Sequence, residues 1–171
     1  MRKLFLLVAL LAIALPGFAL EVGKPAPEFS LTASDGKTYS LADFRGKQAV
    51  VIAWYPKAFT KGCTIECKSL AEKGHLIREY DVAYFMASTD EVEVNEKFAK
   101  QYKADFPLLS DPGGEVAAAY DVKMPLLNVA KRVTIYIGKD GNVLKVDSDI
   151  KPATSAEDIA STLGELGVAK K

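Results

Sequence analysis

Seven consecutive apolar residues, Ala49 to Tyr55, run without a polar interruption. A run of this length, bounded by Gly46-Lys47 and by Pro56, predicts a strand buried on both faces of a sheet. Asp81 to Ser88 reads as a second buried strand. Between them Ile65, Leu70, Leu76, Ile77 and Tyr80 predict a helix that begins about Cys63 and runs to about Tyr80. Gly74 weakens its middle by about 1 kcal/mol relative to alanine. Strand, helix and strand at these lengths make a βαβ unit with parallel strands.

The same patterns extend in both directions. Residues before Pro25 and Pro27 are expected to be extended. Phe29 to Leu31 and Thr38 to Ser40 flank a Ser34-Asp35-Gly36-Lys37 turn, and Leu41 to Phe44 predicts one helical turn. Val94, Phe98 and Tyr102 share a helix face, and Pro107 marks Phe106 to Leu109 as an edge strand. A turn at Asp111 to Gly114 leads to a short helix, Glu115 to Tyr120, and then to a loop, Asp121 to Lys131. Val133 to Ile137 and Asn142 to Val146 bracket a Lys139-Asp140-Gly141 hairpin signal. Thr154 with Glu157 predicts a capping box for a last helix that buries Ile159, Leu163 and Leu166. The pattern is α/β, a mixed central sheet with helices on both faces.

The first residues differ in kind. Arg2-Lys3 is a short basic stretch, Leu4 to Leu15 is continuously apolar, and Gly17 and Ala19 supply small residues for a cut after Ala19. This is the pattern of a secretory signal peptide over residues 1–19, with one domain over 20–171. The apolar run is shorter than the roughly 20 residues of a membrane span. An uncleaved anchor is the alternative; after cleavage no membrane association is expected, and the protein is placed in a periplasm or outside the cell. Lysine plus arginine and aspartate plus glutamate are equal at 22 each, so no strong field points to nucleic acid.

Export changes the meaning of the two cysteines, Cys63 and Cys67. Exported cysteines are usually structural disulfides. Residues four apart on a helix have Cβ atoms about 5–6 Å apart, whereas a disulfide wants about 3.5–4.5 Å. The pair closes only if the helix turn loosens, and so short a loop restrains the unfolded chain little. A redox or metal role gains weight. Cys63 sits where a buried strand gives way to a helix, against unpaired backbone N–H groups, a setting that favours the reactive thiolate.

Pro56-x-x-x-Thr60-x-x-Cys63 after an apolar strand resembles the active-site signature of peroxiredoxins, and Tyr55 to Thr64 is most similar to their Q, or bacterioferritin co-migratory, subfamily. Gly23 to Phe29, Phe106 to Asp111 and Arg132 to Ile137 resemble other segments of that family, in order. The resemblance implies a thioredoxin-like fold and a thiol peroxidase that reduces hydrogen peroxide and organic hydroperoxides. It implies Cys63 as the peroxidatic cysteine, Thr60 as a hydroxyl donor, Arg132 as the guanidinium beside the sulfur and Pro56 as a shield against water. It implies a thioredoxin-like dithiol reductant and neither cofactor nor metal. The subfamily's resolving cysteine lies five positions after the first, whereas Cys67 lies four. Cys67 is still expected to condense with the sulfenic acid of Cys63, being the only other thiol.

Each residue has a plainer reading. Cys63 could be a small buried hydrophobe, Cys67 an inert helix residue, Arg132 a surface side chain and Thr60 a backbone N-cap. His75 reads as a solvated helix residue, and Trp54 and Phe59 as packing. At the level of function, Cys63 and Cys67 also suit a Sco-like copper-binding thioredoxin-fold protein, although no histidine follows His75. A disulfide exchange protein would use a two-residue spacer. A thioredoxin fold with an idle site is the remaining alternative.

Overall fold

A computed structural model describes residues 20–171. The expectation of a signal peptide over residues 1–19 lies outside the described residues. A small antiparallel hairpin opens the fold, β1 (Ser30–Thr32) and β2 (Thr38–Ser40), followed by a 3-10 turn at Leu41–Asp43. Then come β3 (Ala49–Trp54), α1 (Lys61–Lys73), α2 (His75–Arg78) and β4 (Val82–Ser88). Next are α3 (Val92–Tyr102), β5 (Leu108–Ser110) and α4 (Glu115–Ala119). The hairpin β6 (Val133–Ile137) and β7 (Val143–Asp147) and the helix α5 (Ser155–Glu165) complete it. The main sheet has the order β5-β4-β3-β6-β7.

β3 is central, and all six of its residues are buried. It runs parallel to β4 and antiparallel to β6, so Trp54 stands opposite both Ala87 and Val133. Successive side chains point to opposite faces. Val51, Ala53 and Tyr55 join one core with Leu70, Ile77, Phe98, Ile159 and Leu163, covered by α1, α2, α3 and α5. Val50, Ile52 and Trp54 join the other with Leu31, Leu41, Phe85, Ala117 and Tyr120, covered by α4, the β1–β2 hairpin and the 3-10 turn. Helices thus lie on both faces, though unequally. The antiparallel register of β6 brings its first residue to the end of β3, and this juxtaposition places the site.

Three expectations are corrected. Ile65 faces solvent, 39% exposed, because it lies on the outer side of α1, away from Cys63, Cys67 and Leu70. The capping box at Thr154 does not form. Thr154 ends a 3-10 turn that feeds directly into α5, so its hydroxyl donates to Asp158 Oδ2 at 2.7 Å and Glu157 pairs with Lys73 instead. The long helix to Tyr80 is two helices that meet at Gly74.

Gly74 marks a close approach. A Cβ built there would lie 2.5 Å from the Leu70 carbonyl oxygen and closer still to the Tyr84 hydroxyl. Replacing glycine by alanine in a helix ordinarily stabilises by about 1 kcal/mol. Here overpacking should win, and Gly74→Ala should destabilise by about 1–3 kcal/mol in urea unfolding. A stabilised variant would contradict this packing.

Candidate active site

The end of β3 passes through Tyr55 and Pro56 into a turn, and α1 begins at Lys61. Cys63 is therefore the third helical residue. The first helical hydrogen bond runs from Thr64 N–H to the Thr60 carbonyl at 2.9 Å. The N–H groups of Lys61, Gly62 and Cys63 precede it and have no partner within the helix. They place the positive end of the helix at the sulfur.

Arg132 closes the site from the other side. It immediately precedes β6, opposite the end of β3. Arg132 Nη2 donates to Cys63 Sγ at 3.2 Å, and Nη1 donates to Glu66 Oε2. The approach needs a small residue at position 62, because a Cβ there would meet Arg132 Nη2 at 3.1 Å. Ion pairing to Glu66 and contact with Cys63 hold the guanidinium charged against the opposing effect of its own burial.

Glu66 is not among the residues that the sequence singles out. It is fully buried, and it also accepts a bond from Ser155 Oγ at 3.4 Å. Burial pushes its carboxyl up to about 7, against the lowering effects of Arg132 and Ser155. The spacing carried a usable signal, since a carboxylate three residues after Cys63 shares its helix face.

The expected site residues are placed as follows. Cys63 and Arg132 meet. Thr60 is exposed and occupies the N-cap position, yet its hydroxyl donates to the Lys57 carbonyl at 2.9 Å; it caps no N–H of α1. Pro56 is half-buried beside the buried Tyr55. Cys67 is buried one helical turn beyond Cys63, both thiols are free, and α1 is continuous through them. Burial, the Glu66 carboxylate and Cys63 push the Cys67 thiol up to about 12. Cys63 is itself fully buried. Two surface cavities of about 540 Å³ lie elsewhere, one beside Tyr39 and Phe106 and one beside Met124 and Leu127. His75 is exposed, while Trp54 packs in the core and Phe59 packs against Phe98. Among the described residues no cluster of metal-ligating side chains occurs, and no helix is long and apolar enough to cross a membrane.

Comparison with known proteins gives a consistent answer. Residues 22–146 match the model of the AhpC/TSA family. The chain is 32% identical over 152 residues to peroxiredoxin Bcp of Escherichia coli, covering 85% of this chain and 97% of that protein. It is 30% identical over 153 residues to peroxiredoxin Bcp of Bacillus subtilis, covering 86% and 97%. Peroxidoxin BcpB from Mycobacterium tuberculosis superposes with a TM-score of 0.77 at 33% identity, covering 85% of this chain and 97% of that one. These relatives lend no support to the copper-binding alternative.

Glu66 yields a prediction about pH. Its folded value, about 7, lies above the ordinary 4.5. Folding therefore retains a proton that the unfolded chain releases. The resulting stabilisation is complete below the unfolded value and is lost as pH rises through the folded one. Between pH 4.5 and 7.5 wild type should lose up to about 3 kcal/mol of stability relative to Glu66→Gln, at 1.36 kcal/mol per unit. Parallel stability profiles for the two proteins would show that folding leaves the Glu66 carboxyl unshifted and would contradict this.

Proposed function

The chain belongs to the AhpC/TSA family and is a peroxiredoxin of the Bcp type, a thiol peroxidase; from that premise we propose that Cys63 is the sulfur that attacks the peroxide. The observation that carries this reading is the 3.2 Å contact from Arg132 to Cys63 Sγ at the start of α1. A thiolate there has a fixed guanidinium and unpaired N–H groups around it. Arginine suits the task because it stays charged and offers several donors in one plane.

The Cys63 thiolate attacks one oxygen of the hydroperoxide and the O–O bond breaks. A hydroxyl is transferred to sulfur, giving the sulfenic acid, and the other oxygen leaves as alkoxide or hydroxide and takes a proton to become alcohol or water. Arg132 and the helix-start N–H groups face the oxygens as charge develops, as preorganised donors do in other sites. Glu66 fixes one edge of the guanidinium so that the other faces the sulfur. The Thr60 hydroxyl, engaged by Lys57, would have to rotate to donate to a bound peroxide. Pro56 screens the sulfur from water.

Cys67 then condenses with the sulfenic acid to form a disulfide and water. This step requires the first turns of α1 to unwind, because the intact helix holds the two Cβ atoms too far apart. Unwinding also exposes Cys67 to water and removes the burial that keeps it protonated. A thioredoxin-like dithiol protein returns both cysteines to thiols. Residues 1–19 direct export, with cleavage after Ala19, and the enzyme works in a periplasm or outside the cell. The family match begins at residue 22, just past that position.

Mass spectrometry after one equivalent of peroxide tests the cysteine roles. Wild type should lose two hydrogens through a Cys63–Cys67 bond, Cys67→Ala should gain one oxygen, and Cys63→Ser should remain unchanged. Oxidation of Cys63→Ser at the wild-type rate would remove Cys63 from the reaction. Wild-type turnover by Cys67→Ala would remove the internal resolving step alone.

A further inference from the structure

The turn between β3 and α1 is held at two points by side chains from the end of β4 and from α3. Tyr55, at its start, donates its hydroxyl proton to Asn95 Oδ1. Three residues later Ala58 N–H donates to Asp90 Oδ2 at 2.8 Å. Ser88 joins the two anchors. Its hydroxyl donates to Asp90 Oδ2 at 3.1 Å and accepts from Asn95 Nδ2 at 3.2 Å. Asn95 also donates to Ser110 Oγ at 2.8 Å and to the Leu109 carbonyl at 3.3 Å. Ser88 and Asn95 are fully buried. A buried network with every member satisfied admits one arrangement, and its failure is costly.

Between these anchors and the helix lies a strained residue. Phe59 has φ +64°, the left-handed region, which costs an aromatic residue about 1–2 kcal/mol. Such a conformation persists only where the surroundings over-determine it. Here they do so on two sides. Asp90 fixes the Lys57–Ala58 peptide, one residue before Phe59, and the Phe59 ring packs edge-on against Phe98 of α3 with centroids 5.1 Å apart. Thr60 follows, then the first turn of α1 with Cys63. The position of the sulfur opposite Arg132 is therefore set from α3 and the end of β4, not by α1 alone.

We propose that Asp90 is a positioning residue for Cys63: by holding the Ala58 N–H, with Ser88 and Asn95 behind it, it fixes the Pro56-to-Thr60 turn and with it the place of the sulfur against Arg132. The inference rests on Cys63 as the attacking sulfur and is independent of Cys67. Asp90 makes no hydrogen bond to the sulfur, and its part is to accept one backbone hydrogen bond in one geometry. Misplacing a reacting group by about 1 Å can cost about 10²-fold in rate.

The second-order rate constant for hydrogen peroxide, measured by trapping the Cys63 sulfenic acid in single-turnover experiments, tests this. Asp90→Ala should react at least about 10-fold more slowly than wild type with unchanged circular dichroism. Asp90→Asn, whose carbonyl oxygen can still accept from Ala58, should stay within about 3-fold of wild type. If Asp90→Ala fails to fold, Asp90→Glu replaces it, keeping the charge and losing the geometry, and it should be the slow variant beside a fast Asp90→Asn. Asp90→Ala within about 2-fold of wild type, or Asp90→Asn as slow as Asp90→Ala or Asp90→Glu, would overturn the assignment. Wild type that forms no sulfenic acid would instead overturn the role of Cys63.

Discussion

One guanidinium bridges a sulfur and a buried carboxylate, and the rest of the site follows from that contact. Arg132 faces Cys63 on one edge and Glu66 on the other. The three groups come from two elements, and what unites them is the antiparallel pairing of β3 with β6, which sets the start of one strand beside the end of the other. An arginine there is drawn out of water at a cost that only a paired anion offsets. Glu66 supplies that anion in its ionised form, which burial holds back to about pH 7, and Cys63 supplies a second as the thiolate. The carboxylate thus serves the sulfur indirectly, since a guanidinium anchored on one edge keeps its remaining donors aimed rather than mobile.

On the proposed mechanism, the same arrangement creates a tension between attack and resolution. Attack needs α1 intact, with its free N–H groups and Arg132 gathered at the sulfur. Resolution needs α1 opened, because Cys67 is buried within it and held as a thiol. Opening the helix must also break the bonds of Glu66 to Arg132 and to Ser155 at the start of α5. A buried pair broken on one side is strongly unfavourable unless water reaches it. On that mechanism the closed form is the resting form, and opening is a separate event that follows the attack.

Much of this was legible in the sequence. The unbroken apolar run at Ala49 to Tyr55 announced the central strand, because a strand covered on both faces has no polar side to show. The hairpin around Lys139-Asp140-Gly141 and the edge position of β5 followed from local rules. The pairing of Cys63 with Arg132 could not be read from spacing, since 69 positions separate them; it came from resemblance. Glu66, Asp90 and Asn95 were passed over because charged and amide residues on helices and loops are usually solvated. The burial of Glu66 and Asn95, and the half-burial of Asp90, are tertiary facts. The capping signal at Thr154 failed for a related reason, as the preceding 3-10 turn changes the backbone geometry that the local rule assumes.

The most direct test of the account is the rate of peroxide attack on Cys63 when the guanidinium is removed. For Arg132→Met, with circular dichroism matching wild type, the account predicts a second-order rate constant for hydrogen peroxide at least about 100-fold lower, the usual consequence of losing one preorganised donor. A rate within about 3-fold of wild type would contradict it and would leave the Arg132–Cys63 contact without a part in the reaction.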